Sequence, residues 1–236
     1  NPVRVLSVIE ELGADIVALQ EADMRFGARG GLLDLDGLRR RTGLVPVDIP
    51  AKRHVASHGW HGNVVLVREG VSAAAHGVKL PGLEPRGAVV VDIDSPGCCA
   101  LRIVAAHLGL LKRSRKRQLD ILTSLALGEH DRAVLLMGDL NEWRTGRRSS
   151  LRMLEPMFGP VAQHGPSFPS MRPALALDRI LALPGRIIRS LVVHDTPLAR
   201  LASDHLPLRA EVDVSELAMR HSRALEAEAA RLAAAE

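Results

Sequence analysis

Hydrophobic residues come in short runs along this chain, and the clearest run predicts a buried strand. Ala133–Met137 is wholly apolar and ends at Gly138, which is typical of a strand rather than a helix. Asp139 and Asn141 follow one residue apart, and alternate residues of an extended segment point the same way. The run therefore predicts a carboxylate and a carboxamide in one space at a sheet edge, which suits a phosphate site. A plain turn is the alternative, because Gly, Asp and Asn are all turn residues.

The other apolar patterns predict strands that alternate irregularly with helices. Helices are predicted at Pro2–Leu12, Leu32–Arg41, Arg113–Leu127, Ser149–Met157 and Ser215–Glu236. Further strands are predicted at Ile16–Leu19, Val45–Ile49, Asn63–Val67, Ser72–Val78, Gly87–Asp94, Ala100–Ala106, Leu177–Leu183, Ser190–Val193 and Leu208–Val212. The turn sequence Ser95-Pro96-Gly97 joins two of them in a hairpin. The chain has no repeat and no linker, so we expect one α/β or α+β domain with mixed sheets over residues 1–214, followed by a C-terminal helix over residues 215–236.

Composition narrows the classes of function. The 236 residues are 47% hydrophobic, and no apolar run approaches the length of a membrane span, so stable membrane insertion is not expected. Aromatic residues make up only 2% of the chain, which argues against a surface that stacks single-stranded bases. A net charge of +4 makes an anionic substrate plausible. Cys98 and Cys99 are adjacent and lack zinc spacing, so we interpret them as buried residues. No signal peptide is visible, and a cytoplasmic protein is expected.

Polar side chains interrupt the pattern at one recurring place, the end of an apolar strand. They are Glu21, His107, Asp139, Asn141, Asp178, Asp204 and His205. If a sheet sandwich brings these strand ends together, the carboxylates repel one another unless a divalent cation neutralises them. Oxygen ligands suit Mg²⁺ or Mn²⁺ better than zinc, so the pattern predicts a Mg²⁺ site, with Mn²⁺ as the alternative.

Each of these residues also has an ordinary structural explanation. Glu21 could pair with Arg25, and His107 could be a satisfied histidine at a sheet rim. Asp178 could form a surface ion pair with its neighbour, and the segment 203–205 could be a polar turn. The functional interpretation is favoured because all these residues occur together and in one order.

That order resembles the successive motifs of the endonuclease/exonuclease/phosphatase superfamily, across residues 3–212. The motifs are Gln20-Glu21, Gly62-Asn63, His107-Leu108, Gly138-Asp139-Leu140-Asn141, Leu177-Asp178-Arg179-Ile180 and Ser203-Asp204-His205-Leu206-Pro207. The resemblance implies an α+β, deoxyribonuclease-I-like four-layer sandwich, with two mixed β-sheets packed face to face and helices outside. It also implies Mg²⁺-dependent cleavage of a phosphoester bond.

The resemblance further implies roles for the matching residues. Glu21 is expected to bind the metal, and Asp204 to bind it or to orient His205. Asp139 and Asn141 are expected to position the nucleophile and the phosphate. Which of Asp139 and His205 activates the attacking water stays open.

Two further roles separate the branches of the family. Asp178 is expected to align its catalytic neighbours. His107 resembles the second histidine of the deoxyribonuclease-I-like, sphingomyelinase-like and inositol-phosphatase-like branches, and is expected to share acid–base work with His205. The exonuclease-III-like branch uses a tyrosine, and this chain has none.

The chain departs from the family pattern at its beginning. Family members open with a strand that carries a metal-contacting Asn before the first helix, whereas this sequence begins at Asn1-Pro2, directly on that helix. We expect the domain to be truncated at its N-terminus and the neighbouring strand edges to be exposed.

The substrate is indicated only in outline. Asn63 and Arg113 are candidates for substrate binding, the latter in a basic cluster with Arg115, Lys116 and Arg117 that is otherwise a solvated helix face. Basic loops at residues 25–31 and 144–148 suit a nucleic-acid backbone or an anionic lipid headgroup equally. The Gly-Asp-Leu-Asn-Glu-Trp and Ser-Phe-Pro-Ser motifs resemble those of small bacterial family members associated with phospholipid metabolism. They slightly favour a phosphodiesterase that acts on a phospholipid or small phosphodiester. A DNA or RNA nuclease and an inactive phosphate-binding family member are the alternatives.

Overall fold

The fold is an α+β sandwich of four layers, seen here in a computed structural model. The structure describes residues 1–24, 30–50, 56–94, 100–126, 132–161 and 165–215. Arg25, the hairpin turn at residues 95–97, both cysteines and the predicted C-terminal helix beyond Ser215 lie outside these ranges. No helix in these ranges is long and apolar enough to cross a bilayer.

The strands form one larger and two smaller sheets. They are β1 Ile16–Leu19, β2 Leu44–Pro46, β3 Val64–Arg68, β4 Ala73–Leu80, β5 Arg86–Ile93, β6 Leu101–His107, β7 Ala133–Asp139, β8 Asp178–Leu183, β9 Ile188–Val193 and β10 Leu208–Val212. The order β4-β5-β6-β7-β8 makes a mixed sheet in which only β6 and β7 run parallel. The order β1-β3-β2 and the pair β10-β9 make antiparallel sheets. The predicted hairpin is confirmed, since β5 and β6 pair antiparallel.

Alternating side chains of the strands build both the inner and the outer cores. Along β6, Ile103 and Ala105 face the core between the sheets, whereas Val104 and Ala106 face the outer helices. In β3, Val65 points to the inner core and its neighbours point outward. These strands are apolar at successive positions because both of their faces are buried.

Helices cover the outer faces of the sheets. They are α1 Pro2–Leu12, α2 Leu35–Thr42, α3 Lys112–Ala126, α4 Glu155–Phe158 and α5 Pro197–Ala202. The core outside the five-stranded sheet contains α3 and α4, and the core outside β1 and β3 contains α1 and α2. The predicted four-layer sandwich is therefore confirmed.

Local capping explains why several observed helices begin or end at residues other than the predicted ones. α2 begins three residues later than predicted because the side chain of Asp34 accepts a hydrogen bond from Gly37 N and caps the helix. The segment predicted as a helix at 149–157 is a 3₁₀ helix, Ser150–Leu154, that continues into α4. α5 was not predicted; Thr196 caps it through its hydroxyl, and a proline opens its first turn.

Candidate active site

Three polar side chains lie in one row across the middle of the five-stranded sheet. His107 at the end of β6 is opposite Asp139 at the end of β7, and Asp139 is opposite Asp178 at the start of β8. Because β8 runs antiparallel, its first residue reaches the same edge as the last residues of β6 and β7. The pairing register thus places the imidazole of His107 one strand away from the carboxylate of Asp139 and two strands away from the carboxylate of Asp178.

A glycine allows this row to form. Gly138 has a φ of 133°, and a Cβ at this position would come within 2.1 Å of the carbonyl oxygen of Ala106. Only glycine avoids that contact with backbone. The glycine that interrupts the apolar run in the sequence is therefore what lets β7 lie beside β6 and deliver Asp139.

His205 enters the site from the loop between α5 and β10. Its Nδ1 lies 2.9 Å from Oδ2 of Asp178. The ring also packs against Phe168, with 4.8 Å between ring centres. Ser167 donates a hydrogen bond to the same oxygen of Asp178. These contacts hold the imidazole in one orientation at the end of the row.

The carboxylates around His205 favour its charged form. Burial by itself would lower the pKa of His205, but the hydrogen bond and charge of Asp178, with the charges of Asp139 and Asp204, raise this pKa to about 9. At neutral pH the ring is therefore an imidazolium. In this form it can stabilise negative charge or donate a proton.

Asp139 is held as the ionised partner of this cation. Burial tends to raise the pKa of Asp139, but the contact with His107, the charge of His205 and the hydrogen bond from Asn141 N together lower it. Asn141 has a φ of 51°, and its side-chain nitrogen donates to Leu108 O. The turn after β7 thus fixes a carboxylate and a carboxamide together, as the spacing predicted.

Arg86, which the sequence analysis did not identify as a site residue, determines the tautomer of the His107 ring. Its Nη1 lies 2.7 Å from Nδ1 of His107, while Nε2 of the same ring lies 3.3 Å from Oδ2 of Asp139. A guanidinium can only donate hydrogen bonds, so Nδ1 accepts, and the proton sits on Nε2 and points to Asp139. In this arrangement His107 links Arg86 to Asp139, and its predicted acid–base role stays a prediction.

Ser167 and Ser170, which the sequence analysis identified only as part of a family motif, support the loop that carries His205. Ser170 N donates to Asp204 O, and its hydroxyl donates to Ser203 O. Leu206 N donates to Ser167 O. Both serines are buried. The segment 167–170 therefore sets the position of the loop that carries Asp204 and His205.

The alternative considered for Asp178, a surface ion pair with its neighbour, does not describe the structure. Arg179 is buried and donates to the carbonyl oxygens of Ala176, Asp178 and Glu142 rather than forming a surface ion pair. The carboxylate of Glu21 lies 3.7 Å from Nη1 of Arg86, and the pairing with Arg25 falls outside the described residues.

The oxygen donors expected to hold a metal line the site without forming a cage. Glu21 is half exposed, and Asp204 is exposed. Within the described ranges, no three histidine, cysteine or carboxylate side chains converge as ligands. The donor chemistry fits a hard divalent cation such as Mg²⁺, whereas a preformed coordination sphere is not part of this arrangement.

Neither of the two predicted substrate-binding residues is among those that line the cleft. Asn63 is fully buried, and its side chain donates to Trp60 O and Gly87 O, so it ties β3 to β5. Arg113 is exposed on α3 and is not among the residues that line the cleft. Arg115 from the same basic cluster is fully buried against Glu142, so it belongs to the interior and not to a phosphate-binding surface.

All seven predicted catalytic and metal-binding residues line one cleft of about 1510 Å³. They are Glu21, His107, Asp139, Asn141, Asp178, Asp204 and His205. The cleft continues between β1 and β10, each of which is an edge strand in the described part of the chain.

A two-sheet sandwich with a histidine–carboxylate site at the strand ends defines a class of phosphoester-hydrolysing proteins. The family model described as "Endonuclease/Exonuclease/phosphatase family" matches residues 1–205. The chain belongs to the endonuclease/exonuclease/phosphatase family, whose members hydrolyse phosphoesters and are generally dependent on a divalent metal. No curated protein matches the sequence.

Solved structures of similar proteins establish the fold. An endonuclease/exonuclease/phosphatase from Beutenbergia cavernae DSM 12333 is 24% identical, with a TM-score of 0.61; the match covers 89% of this chain and 66% of that chain. A functionally unknown conserved protein from Enterococcus faecalis V583 is 16% identical, with a TM-score of 0.68 and 89% of each chain covered. The mannosyl-6-phosphatase Bt3783 from Bacteroides thetaiotaomicron VPI-5482 is 15% identical, with a TM-score of 0.59 and 90% of each chain covered.

Proposed function

We propose that this protein is a Mg²⁺-dependent phosphodiesterase that cleaves a lipid or small-molecule phosphodiester by in-line attack of water. The observation that carries the proposal is that Asp139, Asn141 and His205 line one cleft, with the ring of His205 held by Asp178. An imidazolium at His205, held by Asp178, faces the same space as the ionised Asp139. A negative and a positive group held in this way can assist the attacking water and the leaving oxygen of a phosphoryl transfer.

The charge states of the side chains indicate the catalytic role of each. Asp139 is the group able to orient the attacking water and accept its proton. His205 stabilises the charge that grows on the phosphoryl oxygens and can protonate the leaving oxygen. Asn141 is a neutral N–H donor and contacts a phosphoryl oxygen without repelling it.

A divalent cation completes the proposal. Glu21 and Asp204 are the residues that would hold Mg²⁺, with Mn²⁺ as a substitute. When bound, the ion would supply Lewis-acid stabilisation of phosphoryl oxygens. Oxygen-only donors at the cleft support this choice over zinc.

Two observations support a small or lipid substrate over nucleic acid. Of the aromatic residues in the described part of the chain, only Trp143 and Phe168 line the cleft, so these residues offer little surface for stacking bases. The solved structure named as a mannosyl-6-phosphatase is similar in fold across most of its length, so this fold also serves small phosphoesters.

The test compares substrates directly. Product release is measured from phospholipid vesicles, bis(p-nitrophenyl) phosphate and duplex DNA, each with Mg²⁺, with Mn²⁺ and with EDTA. We expect metal-dependent turnover of the lipid or the small diester, and a loss of roughly 100-fold or more in Asp139→Asn. Asp120→Asn, a carboxylate exposed on α3, is the matched control and should retain activity.

Each other result overturns part of the proposal. Metal-dependent cleavage of DNA alone would make the protein a nuclease. Turnover that is equal in EDTA or equal in Asp139→Asn would remove the proposed mechanism. Phosphate binding without turnover of any substrate would favour a phosphate-binding family member.

A further inference from the structure

Four large apolar side chains project from the surface beside the cleft. The exposed fractions are 85% for Leu83, 56% for Leu110, 50% for Leu111 and 42% for Trp143. Leu110 and Trp143 also line the cleft itself. Exposed apolar residues that occur singly need no explanation, but a group of four at the mouth of a site indicates an interaction surface.

Contacts between three loops make these residues one surface, which we call the cleft-mouth surface. Leu110 N donates to the carboxylate of Glu84, next to Leu83, at 3.3 Å. The guanidinium of Arg115 donates to Leu110 O and lies 6.0 Å from the centre of the Trp143 ring. Segments 81–85, 109–113 and 143–148 are therefore held together from beneath by buried or half-buried groups.

The same surface carries a uniform positive charge. Its exposed or half-exposed cations are Lys112, Arg113, Arg144, Arg147 and Arg148. Lys112 Nζ donates to Arg148 O at 2.9 Å, which joins the two basic segments. The guanidinium of Arg144 lies 4.5 Å above the Trp143 ring.

The carboxylates of these segments neutralise that charge only in part. Glu142 is fully buried and accepts hydrogen bonds from Ser150, from Arg115 and, at 3.5 Å, from Nη1 of Arg144. Glu84 is half-buried and is occupied by the backbone of Leu110. Both acids point inward, so the solvent side of the cleft-mouth surface presents leucine and tryptophan side chains ringed by lysine and arginine.

We propose that the cleft-mouth surface docks this protein onto an anionic lipid bilayer. Leucine and tryptophan side chains partition into the interface between headgroups and acyl chains, and basic side chains bind the anionic headgroups. Cationic side chains alone are enough to bind a nucleic-acid backbone, and exposed leucines do not contribute to that binding. The inference deepens the proposed function, because docking in this orientation would turn the cleft towards phospholipid headgroups.

Binding to vesicles tests the proposal without relying on turnover. The 236-residue protein is sedimented with phosphatidylcholine vesicles that contain or lack phosphatidylserine, in EDTA to prevent hydrolysis. We expect binding to the anionic vesicles, weakened by salt, and about tenfold weaker binding for the Leu83→Ser, Leu111→Ser double variant. Neither of these leucines lines the cleft.

Matched variants separate this surface from general effects. Val3→Ser with Val192→Ser removes two apolar side chains of similar exposure elsewhere, and should bind vesicles as the wild type does. Arg147→Glu should weaken binding severalfold, and Arg40→Glu on α2 should weaken it less. Thermal unfolding of each variant shows that the fold is intact.

The contrary results are distinct. Wild-type protein that stays in the supernatant with anionic vesicles overturns the proposal. Equal losses in the two double variants also overturn it, because the leucines would then act only through general hydrophobicity. Retention of duplex DNA in place of vesicles, lost in Arg147→Glu but not in the leucine variant, reassigns the surface to nucleic acid. Vesicle binding without lipid turnover leaves docking in place and rejects only the proposed substrate.

Discussion

At the scale of single residues, the pair of His205 and Asp178 couples the stability of the site to pH. The pKa of His205 is raised from about 6.5 in an unfolded chain to about 9 in the folded protein. Its stabilising contribution is therefore complete below about pH 6.5 and is lost as the pH rises through about 9. The same protonation is the state that the proposed mechanism requires.

Asp178→Asn tests this coupling. Without the carboxylate, the pKa of His205 should fall, and the free energy of unfolding of the variant near pH 6 should be lower than that of the wild type by on the order of 2 kcal/mol, a value discounted for the partial exposure of the ring. The difference should shrink towards zero near pH 10. Urea unfolding at both pH values measures it, with Asp120→Asn as the control. A difference of equal size at both pH values would contradict the proposed ion pair.

Arg86 offers a second prediction at this scale. Arg86→Met removes the donor that holds Nδ1 of His107, so either neutral tautomer becomes available. We expect turnover to fall about 10- to 100-fold, equivalent to one hydrogen bond to a charged group. ¹⁵N chemical shifts of the His107 ring report the tautomer. An unchanged Nε2–H tautomer in the variant would show that Arg86 does not set it.

The residue scale also shows which parts of the site the sequence could predict. Asp139, Asn141 and His205 stand in local motifs, and their chemistry is visible from their neighbours in the chain. Arg86 has no such motif; only the pairing of β5 with β6 brings it to His107. A residue whose partner is distant in sequence leaves no local signal.

At the scale of elements, a buried ion pair joins α3 to the segment after β7. Arg115 donates to Glu142 at 3.1 Å, and both side chains are fully buried. Arg115 also donates to the carbonyl oxygens of Gly109 and Leu110 in the loop after β6. Although burial tends to raise the pKa of Glu142, hydrogen bonds from Ser150 and Arg144 and the charge of Arg115 lower it to about 2.

Arg115→Met should therefore lower the free energy of unfolding far more than the same substitution at the neighbouring Arg113. Removing one member of a buried pair leaves an uncompensated charge, and we expect a loss of about 3–5 kcal/mol in the free energy of unfolding. Arg113→Met, two residues along the same helix but exposed, should change stability by less than about 0.5 kcal/mol. Urea unfolding compares the two. Equal losses would mean that the pair contributes nothing specific.

Element boundaries followed from the sequence where capping and periodicity agree. α1 has the predicted bounds because Asn1 caps it and Gly13 ends it in the left-handed conformation. α5 was missed because six residues give too few turns for an apolar period, although Thr196-Pro197 is a cap signal. Short helices that depend on tertiary packing, here α5 against α1, are hard to predict from local pattern.

At the scale of the whole molecule, the sandwich determines which groups share a cleft. The inner core packs β3 against β5, β6 and β7, and this fixes the edge of the larger sheet beside β1 and the loop before β10. Residues as distant in sequence as Glu21 and His205 thus line one cleft. The two sheets act as rigid supports, which is what a site with preset charge positions needs.

The cleft-mouth surface is likewise a property of the whole molecule. Its leucines, its tryptophan and its cations come from loops after three different elements. The net charge of +4 is modest, so any attraction to an anionic surface depends on where the charges lie. The sequence identified the basic segments but not the apolar side chains among them.

The sequence by itself determined the strand and helix pattern, the polar residues at strand ends and, through their order, the family. These features are local or ordered along the chain, so spacing and residue type are enough to reveal them. Only the tertiary structure decided that Arg86 fixes the tautomer of His107, that Asp178 charges His205, and that Arg115 is interior. Each of these depends on register, burial and a partner distant in the chain, which strand pairing and packing determine together.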